Sequence, residues 1–226
     1  AVGANAVWSL RVAAVAAAGV VAMSGRMYPT PGHDTSFDSS TQGVHASDVL
    51  ITGVGMVATA AWTSRALIQS SYDLALNLGL CGTFDSFIDL GTVVHVVSDR
   101  LAELGAEDGD RFLTLADLEL SGESEFVNLD PPSNPELDSL PAVVGITVNT
   151  VHGSDRSIAA INERFNPQVE SMEGAAFMSA CLIHKVPFAQ LRAVSNLVEP
   201  RHRDAWKIPE ANRTLNGSAL RMYEQT

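Results

Sequence analysis

The 226-residue sequence predicts one α/β domain over residues 1–226, built on a central mixed, mostly parallel sheet flanked by helices. Two observations carry this. Short apolar runs rich in Val and Ile recur along the chain, each closed by Gly, Asn or Asp. They alternate weakly, as strands buried on both faces do. Between several of them lie stretches of helical periodicity, and strands that alternate with helices imply crossovers and a covered, largely parallel sheet. With 46% hydrophobic residues, the chain can bury one substantial core.

The first predicted strand is Leu10–Ala16. It belongs to an apolar stretch from Val12 to Met23, behind Arg11. That stretch is too short to span a bilayer, so it reads as a buried strand and turn rather than a targeting or membrane segment. A second strand, Val49–Gly53, ends in Thr52-Gly53-Val54-Gly55. Apolar residues at Val54, Val57, Ala58, Ala61 and Trp62 then place a helix over the stretch from Val54 to Gln69. Leu74–Gly79 is a third strand, closed by a second glycine turn, Gly79-Leu80-Cys81-Gly82-Thr83. Thr92–Val97 and Ala142–Val148 follow as strands. Between them, residues 101–140 are rich in acids and contain Pro131-Pro132, which predicts an irregular excursion with one short helix. Helix formers run from Glu173 to His184, Phe188–Ser195 reads as the last strand, and the segment from Trp206 to Tyr223 as a C-terminal helix.

Composition narrows the function. A net charge of −12 argues against a nucleic-acid groove, which needs a basic stripe. Arg201 and Arg203 do cluster, but Glu199 and Asp204 interrupt them, so they form either a local anion site or a salt-bridged loop. Cys81 and Cys181 have no CxxC or Cys/His spacing, which leaves no support for a metal site. Free thiols in a cytoplasmic protein are the simpler reading of the pair, a disulfide being the other. No cofactor motif is present.

The chemistry is expected where strands end. At the two glycine segments the backbone can approach a ligand closely and leave amides free. In Glu170-Ser171-Met172-Glu173-Gly174-Ala175-Ala176, a carboxylate stands at a helix start, where the helix dipole favours it. A plain N-terminal charge would look the same. In Leu191-Arg192-Ala193-Val194-Ser195-Asn196, an apolar strand ends in polar residues, and Asn196 offers a donor beside an acceptor, the pattern that reads one edge of a purine.

Together these segments resemble the nucleoside phosphorylase and nucleosidase family, through Met172-Glu173-Gly174-Ala175-Ala176 and Arg192-Ala193-Val194-Ser195-Asn196 above all. The resemblance implies a nucleoside phosphorylase-like fold and a purine nucleoside as ligand. It also implies ribose binding by Met172 and Glu173, and contact from Asn196 to purine N7 and the six-position. A narrower resemblance, to futalosine hydrolases, rests on Val148-Asn149-Thr150-Val151-His152-Gly153, on Met172-Glu173-Gly174-Ala175-Ala176-Phe177, and on the tail Ser195–Arg201 continued by Arg203–Pro209. It implies removal of hypoxanthine from futalosine in a menaquinone pathway. Asn196 and Glu173 are then the expected catalytic residues. Met172, Gly55, Leu80, Cys81, Gly82, Val151, His152 and Arg201 are the expected substrate contacts. His152 would stack on the base or fill a loop, and Trp206 would anchor a helix. The family is commonly oligomeric, so a homodimer or larger assembly is expected.

Related phosphorylases place arginines early in the chain and just before the second glycine turn. Leu76-Asn77-Leu78 stands at the latter place, and Arg11 and Arg26 form no recognisable phosphate motif, so hydrolysis is preferred to phosphorolysis. The nucleosidases also carry a Glu after the first strand to activate water. No Asp or Glu precedes Asp34 in this chain, and Ala18 or Gly19 stands about where that acid belongs. Asp34, Asp85 or a carboxylate of the 101–140 excursion remain as bases. A non-catalytic purine-nucleoside binding protein and a phosphorylase are the rival readings.

Overall fold

The computed structural model describes residues 11–16, 26–28 and 46–225, and the side chains of residues 48–225. Nine strands form one sheet. β1 (Arg11–Ala16) runs parallel to β3 (Ala46–Ile51) on one side and to β4 (Leu74–Thr83) on the other. β2 (Arg26–Tyr28) lies parallel beyond β3. On the far side of β4, β11 (Phe188–Leu197) is parallel to β4 and antiparallel to β5 (Val93–Leu101). β9 (Ala142–Thr147) continues parallel to β5, and β8 (Glu125–Val127) pairs antiparallel with β5. β10 (Val169–Ser171) pairs in parallel with β9 and antiparallel with the end of β4. That double pairing closes β4, β11, β5, β9 and β10 into a ring.

Alternation along the central strands builds two core layers. Leu74, Leu76 and Leu78 of β4, with Ala189, Leu191 and Ala193 of β11, pack against Ala211, Leu215, Ala219 and Met222 of α5 (Ile208–Glu224). The opposite faces of the same strands carry Ala75, Cys81, Phe188 and Val194. These meet Phe177, Met178 and Cys181 of α4 (Gly174–His184), a helix buried over most of its surface. α1 (Met56–Gln69) packs on α4. Both cysteines are buried and unbonded. Among the described residues no helix is long and apolar enough to cross a membrane.

Four expectations change. The second glycine segment is no turn: β4 continues through it to Thr83. Gly79 sits inside the strand because Arg192 crosses it, and a Cβ there would lie 2.0 Å from the guanidinium. The predicted apolar stripe of α1 is not its buried face either. Thr59, Thr63 and Leu67 are buried, spaced by four, while Val54 and Val57 are exposed. The Thr52 and Thr59 hydroxyls bond each other at 3.3 Å, so small polar groups line the inner face. The 101–140 stretch is more regular than expected. It adds β8, a hairpin of β6 (Gly105–Asp108) and β7 (Arg111–Thr114), and the short helix α2 (Pro135–Ser139), capped by Asn134. Finally, α3 (Asp155–Phe165) and β10 lie where sequence patterning registered neither. The C-terminal helix begins at Ile208, after a 3-10 turn at Arg203–Ala205.

Candidate active site

Glu173 stands immediately before α4, yet its carboxylate does not cap that helix. It reaches across to the start of α1, where Oε1 accepts the Gly55 amide at 3.1 Å. Gly55 has φ +98°, a conformation that glycine adopts without strain, and this aims its amide at the carboxylate. Oε2 lies 3.4 Å from Nη1 of Arg192, and both side chains are almost closed to solvent, at 8% and 1% exposure. Among the described residues, Nε and Nη2 of Arg192 have no partner. One buried cation therefore balances Glu173 and still holds donors in reserve.

Beneath α4 lies a second buried carboxylate, Asp99. Thr147 Oγ1 donates to it at 2.8 Å and Gln190 Nε2 at 2.9 Å. The same Thr147 oxygen accepts the Ala175 amide of α4 at 2.7 Å. Burial pushes the Asp99 carboxyl up to about 6, while its hydrogen bonds to Gln190 and Thr147 and the charge of Arg192 restrain the rise. Gly174 is required here, since a Cβ would fall 1.9 Å from Asp99 Oδ2.

A recess of about 80 Å³ opens at the closure of the ring. Gly82 forms its floor, because it is the register partner of Glu170 on β10 and of Asn196 on β11. A side chain at Gly82 would meet Asn196 Nδ2 at 3.1 Å and Val198 at 2.9 Å. Asn196 Oδ1 accepts from Ser195 Oγ at 2.8 Å and Nδ2 donates to the Leu197 carbonyl at 2.9 Å. One lone pair and one N–H of the amide remain for a ligand. On the other wall, His152 Nδ1 lies 2.6 Å from Glu170 Oε2, and the His152 amide donates to Oε1 at 3.1 Å. Arg201 stacks over Trp206 at 5.4 Å, and both line the opening.

The recess thus gathers Gly82, Val151, His152, Asn196 and Arg201 from the sequence-derived set. Glu173 and Gly55 form the neighbouring cluster with Arg192. Arg192 and Asn196 pair with Gly79 and Gly82 of β4, three strand positions or roughly 10 Å apart at the usual rise of an extended chain, a span that suits a nucleoside. Met172 is half-buried next to Glu173. The side chains of Leu80 and Cys81 go elsewhere: Leu80 packs toward the α5 layer and Cys81 into the α4 layer, where burial pushes its thiol up to about 12. Trp206 lines the recess rather than only anchoring a helix, and neither Arg201 nor Arg203 pairs with Glu199 or Asp204.

Sequence reasoning missed Glu170, Arg192 and Asp99 as functional groups. A charged residue inside an apolar strand, as in Leu191-Arg192-Ala193, is the signal that was there to find. Of the candidate bases, Asp34 and the Ala18–Gly19 stretch lie outside the described residues. Asp85 caps its own loop through the Phe87 amide. In the 101–140 stretch, Glu125 is engaged by Ser98 and Arg100, Glu136 by Arg221 and Asp117 by Thr114, all away from the recess. Glu103, which accepts from Asn149, stays close to the His152 loop.

The "Phosphorylase superfamily" pattern matches residues 30–223. The chain belongs to that superfamily. As a phosphorylase-superfamily protein it is similar to the futalosine hydrolase of Streptomyces coelicolor, 35% identical over 205 residues, covering 84% of this chain and 85% of that one. Its fold matches the futalosine hydrolase of Helicobacter pylori with a TM-score of 0.74 at 13% identity, over 96% of this chain and 98% of that one. It also matches a mutant of the Helicobacter pylori nucleosidase MTAN with 5'-methylthioadenosine in the active site, at TM-score 0.76 and 13% identity, over 97% and 100% of the two chains.

Proposed function

We propose that this phosphorylase-superfamily protein is an N-glycosidase that hydrolyses futalosine to hypoxanthine and a dehypoxanthinyl product, within menaquinone biosynthesis. The observation that carries this is the pairing of two polar clusters along β11. Glu173, held by Gly55 and Arg192, supplies acceptors for ribose hydroxyls, and Asn196 supplies a free N–H and lone pair for O6 and protonated N7 of the base. As the glycosidic bond breaks, the sugar carbon gains positive charge and the base gains electrons. Asn196 stabilises the leaving base, and the Glu173 carboxylate lies on the side of the developing cation. Water is favoured over phosphate as nucleophile. Arg192 is 1% exposed and its charge is already balanced by Glu173, which leaves no net positive charge there for a dianion.

Chromatography of futalosine and inosine incubated with the protein, with and without phosphate, tests this. Hypoxanthine release without phosphate supports hydrolysis. An absolute phosphate requirement with a sugar-1-phosphate product establishes the phosphorylase reading, and ligand binding without any release establishes the binding-protein reading. The two unbonded thiols fit a cytoplasmic setting.

The protein works as a homodimer or larger assembly in this proposal. An apolar groove between α1 and α4 is lined by Met56, Val57, Ala60 and Ile183, with Val57 and Ile183 more than 70% exposed. It begins one residue beyond Gly55, so a second copy seated there would cover the ribose end of the site. Light scattering on Val57→Lys should show a shift toward monomer, and a wild-type protein that is already monomeric at micromolar concentration rules the assembly out.

A further inference from the structure

Glu173 is the residue from which α4 starts, and a side chain at that place ordinarily accepts the amide two or three residues further on. In this chain the first amides of α4 are met from other elements. Ser171 and Thr147 are register partners on β10 and β9. Ser171 Oγ accepts the Gly174 amide at 3.3 Å, and Thr147 Oγ1 accepts the Ala175 amide at 2.7 Å. The Ala175 amide is one that a carboxylate at position 173 would otherwise take. A backbone amide can only donate, so the Thr147 hydroxyl must turn its own hydrogen elsewhere, and Asp99 Oδ1 receives it at 2.8 Å. Gln190 Nε2 holds the other Asp99 oxygen at 2.9 Å. Thr147 and Gln190 are fully buried and Asp99 is 1% exposed, so the strands fix this chain of bonds. The bare Gly174 leaves room for the Asp99 carboxylate directly beneath the helix start.

A carboxylate leaving position 173 therefore has two attractive destinations. One is the N-terminus of its own helix, where the dipole favours an anion. The other is the Gly55 amide together with the Arg192 guanidinium, on the side of α1. Thr147 already fills the first. We infer that Thr147, with its hydroxyl oriented by Asp99, is a positioning residue for Glu173: it caps α4 in place of the residue that begins the helix and leaves that carboxylate facing the sugar. The inference deepens the ribose-binding role proposed above for Glu173 and rests on it.

Thr147→Val keeps the shape of the side chain and removes the acceptor. Its crystal structure should show the Glu173 carboxylate withdrawn from the Gly55 amide and bonded to the Ala175 amide. Calorimetry with 9-deazainosine, whose C–C glycosidic bond resists hydrolysis, and with its 2',3'-dideoxy counterpart reads the consequence for binding. Wild type should favour the hydroxylated compound about 10- to 100-fold, the effect of a charge-assisted hydrogen bond. The Val variant should weaken that compound alone, bringing the two to within about threefold of each other. Thr147→Ser, which restores the acceptor, should restore the preference. Thr147→Cys, with a thiol that accepts only weakly in the same place, gives the same readings if the Val variant does not fold. Equal weakening of both compounds marks a merely structural role and overturns the inference, as does a Glu173 carboxylate that stays on Gly55. A wild type that does not distinguish the two compounds removes the ribose role of Glu173 instead, and the place of the carboxylate in the variant structure still decides whether Thr147 holds it.

Discussion

Glu173 is placed by residues that do not touch each other in sequence. Its oxygens are taken up by a glycine amide and a guanidinium, which leaves lone pairs on a carboxylate already oriented for hydroxyl donors. Glu173→Gln keeps the shape and removes the charge, so turnover of a ribonucleoside should fall about 10- to 100-fold, the fold change expected for one charge-assisted hydrogen bond. Steady-state kinetics on the soluble variant checks this, and unchanged kcat/KM would take Glu173 out of the site. The nucleophile is the weaker side of the design. With Ala18 or Gly19 where an acid is expected, the wild type should turn over slowly, and Ala18→Glu or Gly19→Glu should raise the single-turnover rate. A rate already at the level of related nucleosidases would mean that another carboxylate does this task. Glu173 and Asn196 were legible because each lies in a short motif with its own chemistry. Glu170 and Arg192 were not, because their partners, His152 and Glu173, lie 18 and 19 residues away.

At the level of elements, α4 shows why position in the fold outweighs pattern. Its sequence, rich in Ala and Gly, fits tight burial between sheet and α1, and the helix was readable from its formers. The reason for Gly174 was not, since the atoms that exclude a side chain there are Asp99 and Gln190, each far along the chain. Gly174→Ala must displace Asp99 from Gln190. It should cost about 1–3 kcal/mol of stability, as over-packed buried sites do, and disturb Glu173 next door. A thermal melt with parallel kinetics would report both, and a melt within one degree of wild type would show that the layer yields freely. α1 taught the reverse lesson. Helical spacing located the helix, but spacing cannot say which face is inside when both faces carry small or apolar residues.

Across the whole molecule, buried charge links stability to pH. The Asp99 carboxyl, pushed up to about 6 from an ordinary 3.8, keeps its proton in the folded chain where the unfolded chain has lost it. Its ionisation therefore opposes folding increasingly as pH rises from about 4 to about 6, and fully above that, by about 3 kcal/mol at 1.36 kcal/mol per unit. Asp99→Asn removes that dependence. Gln190 Oε1, which has no partner among the described residues, can turn to accept the new amide. The melting temperature of Asp99→Asn relative to wild type should be higher at pH 8 than at pH 4.5. An offset that is equal at both values would show that the group does not titrate across that window.

The double pairing of β10 also bears on how the protein comes apart. Ser195 and Cys81, joined by a hydrogen bond between the neighbouring strands β11 and β4, are 114 residues apart in the chain. Bridging that separation is entropically slow, so native contacts at the recess belong to the last steps of folding rather than to its nucleus. A purine lodged there grips a junction that the folding transition state has not yet made. It should lengthen the lifetime of the native protein by slowing escape while leaving the refolding rate where it was. Substrate would then act as a kinetic latch, and its depletion would hasten the turnover of the protein itself.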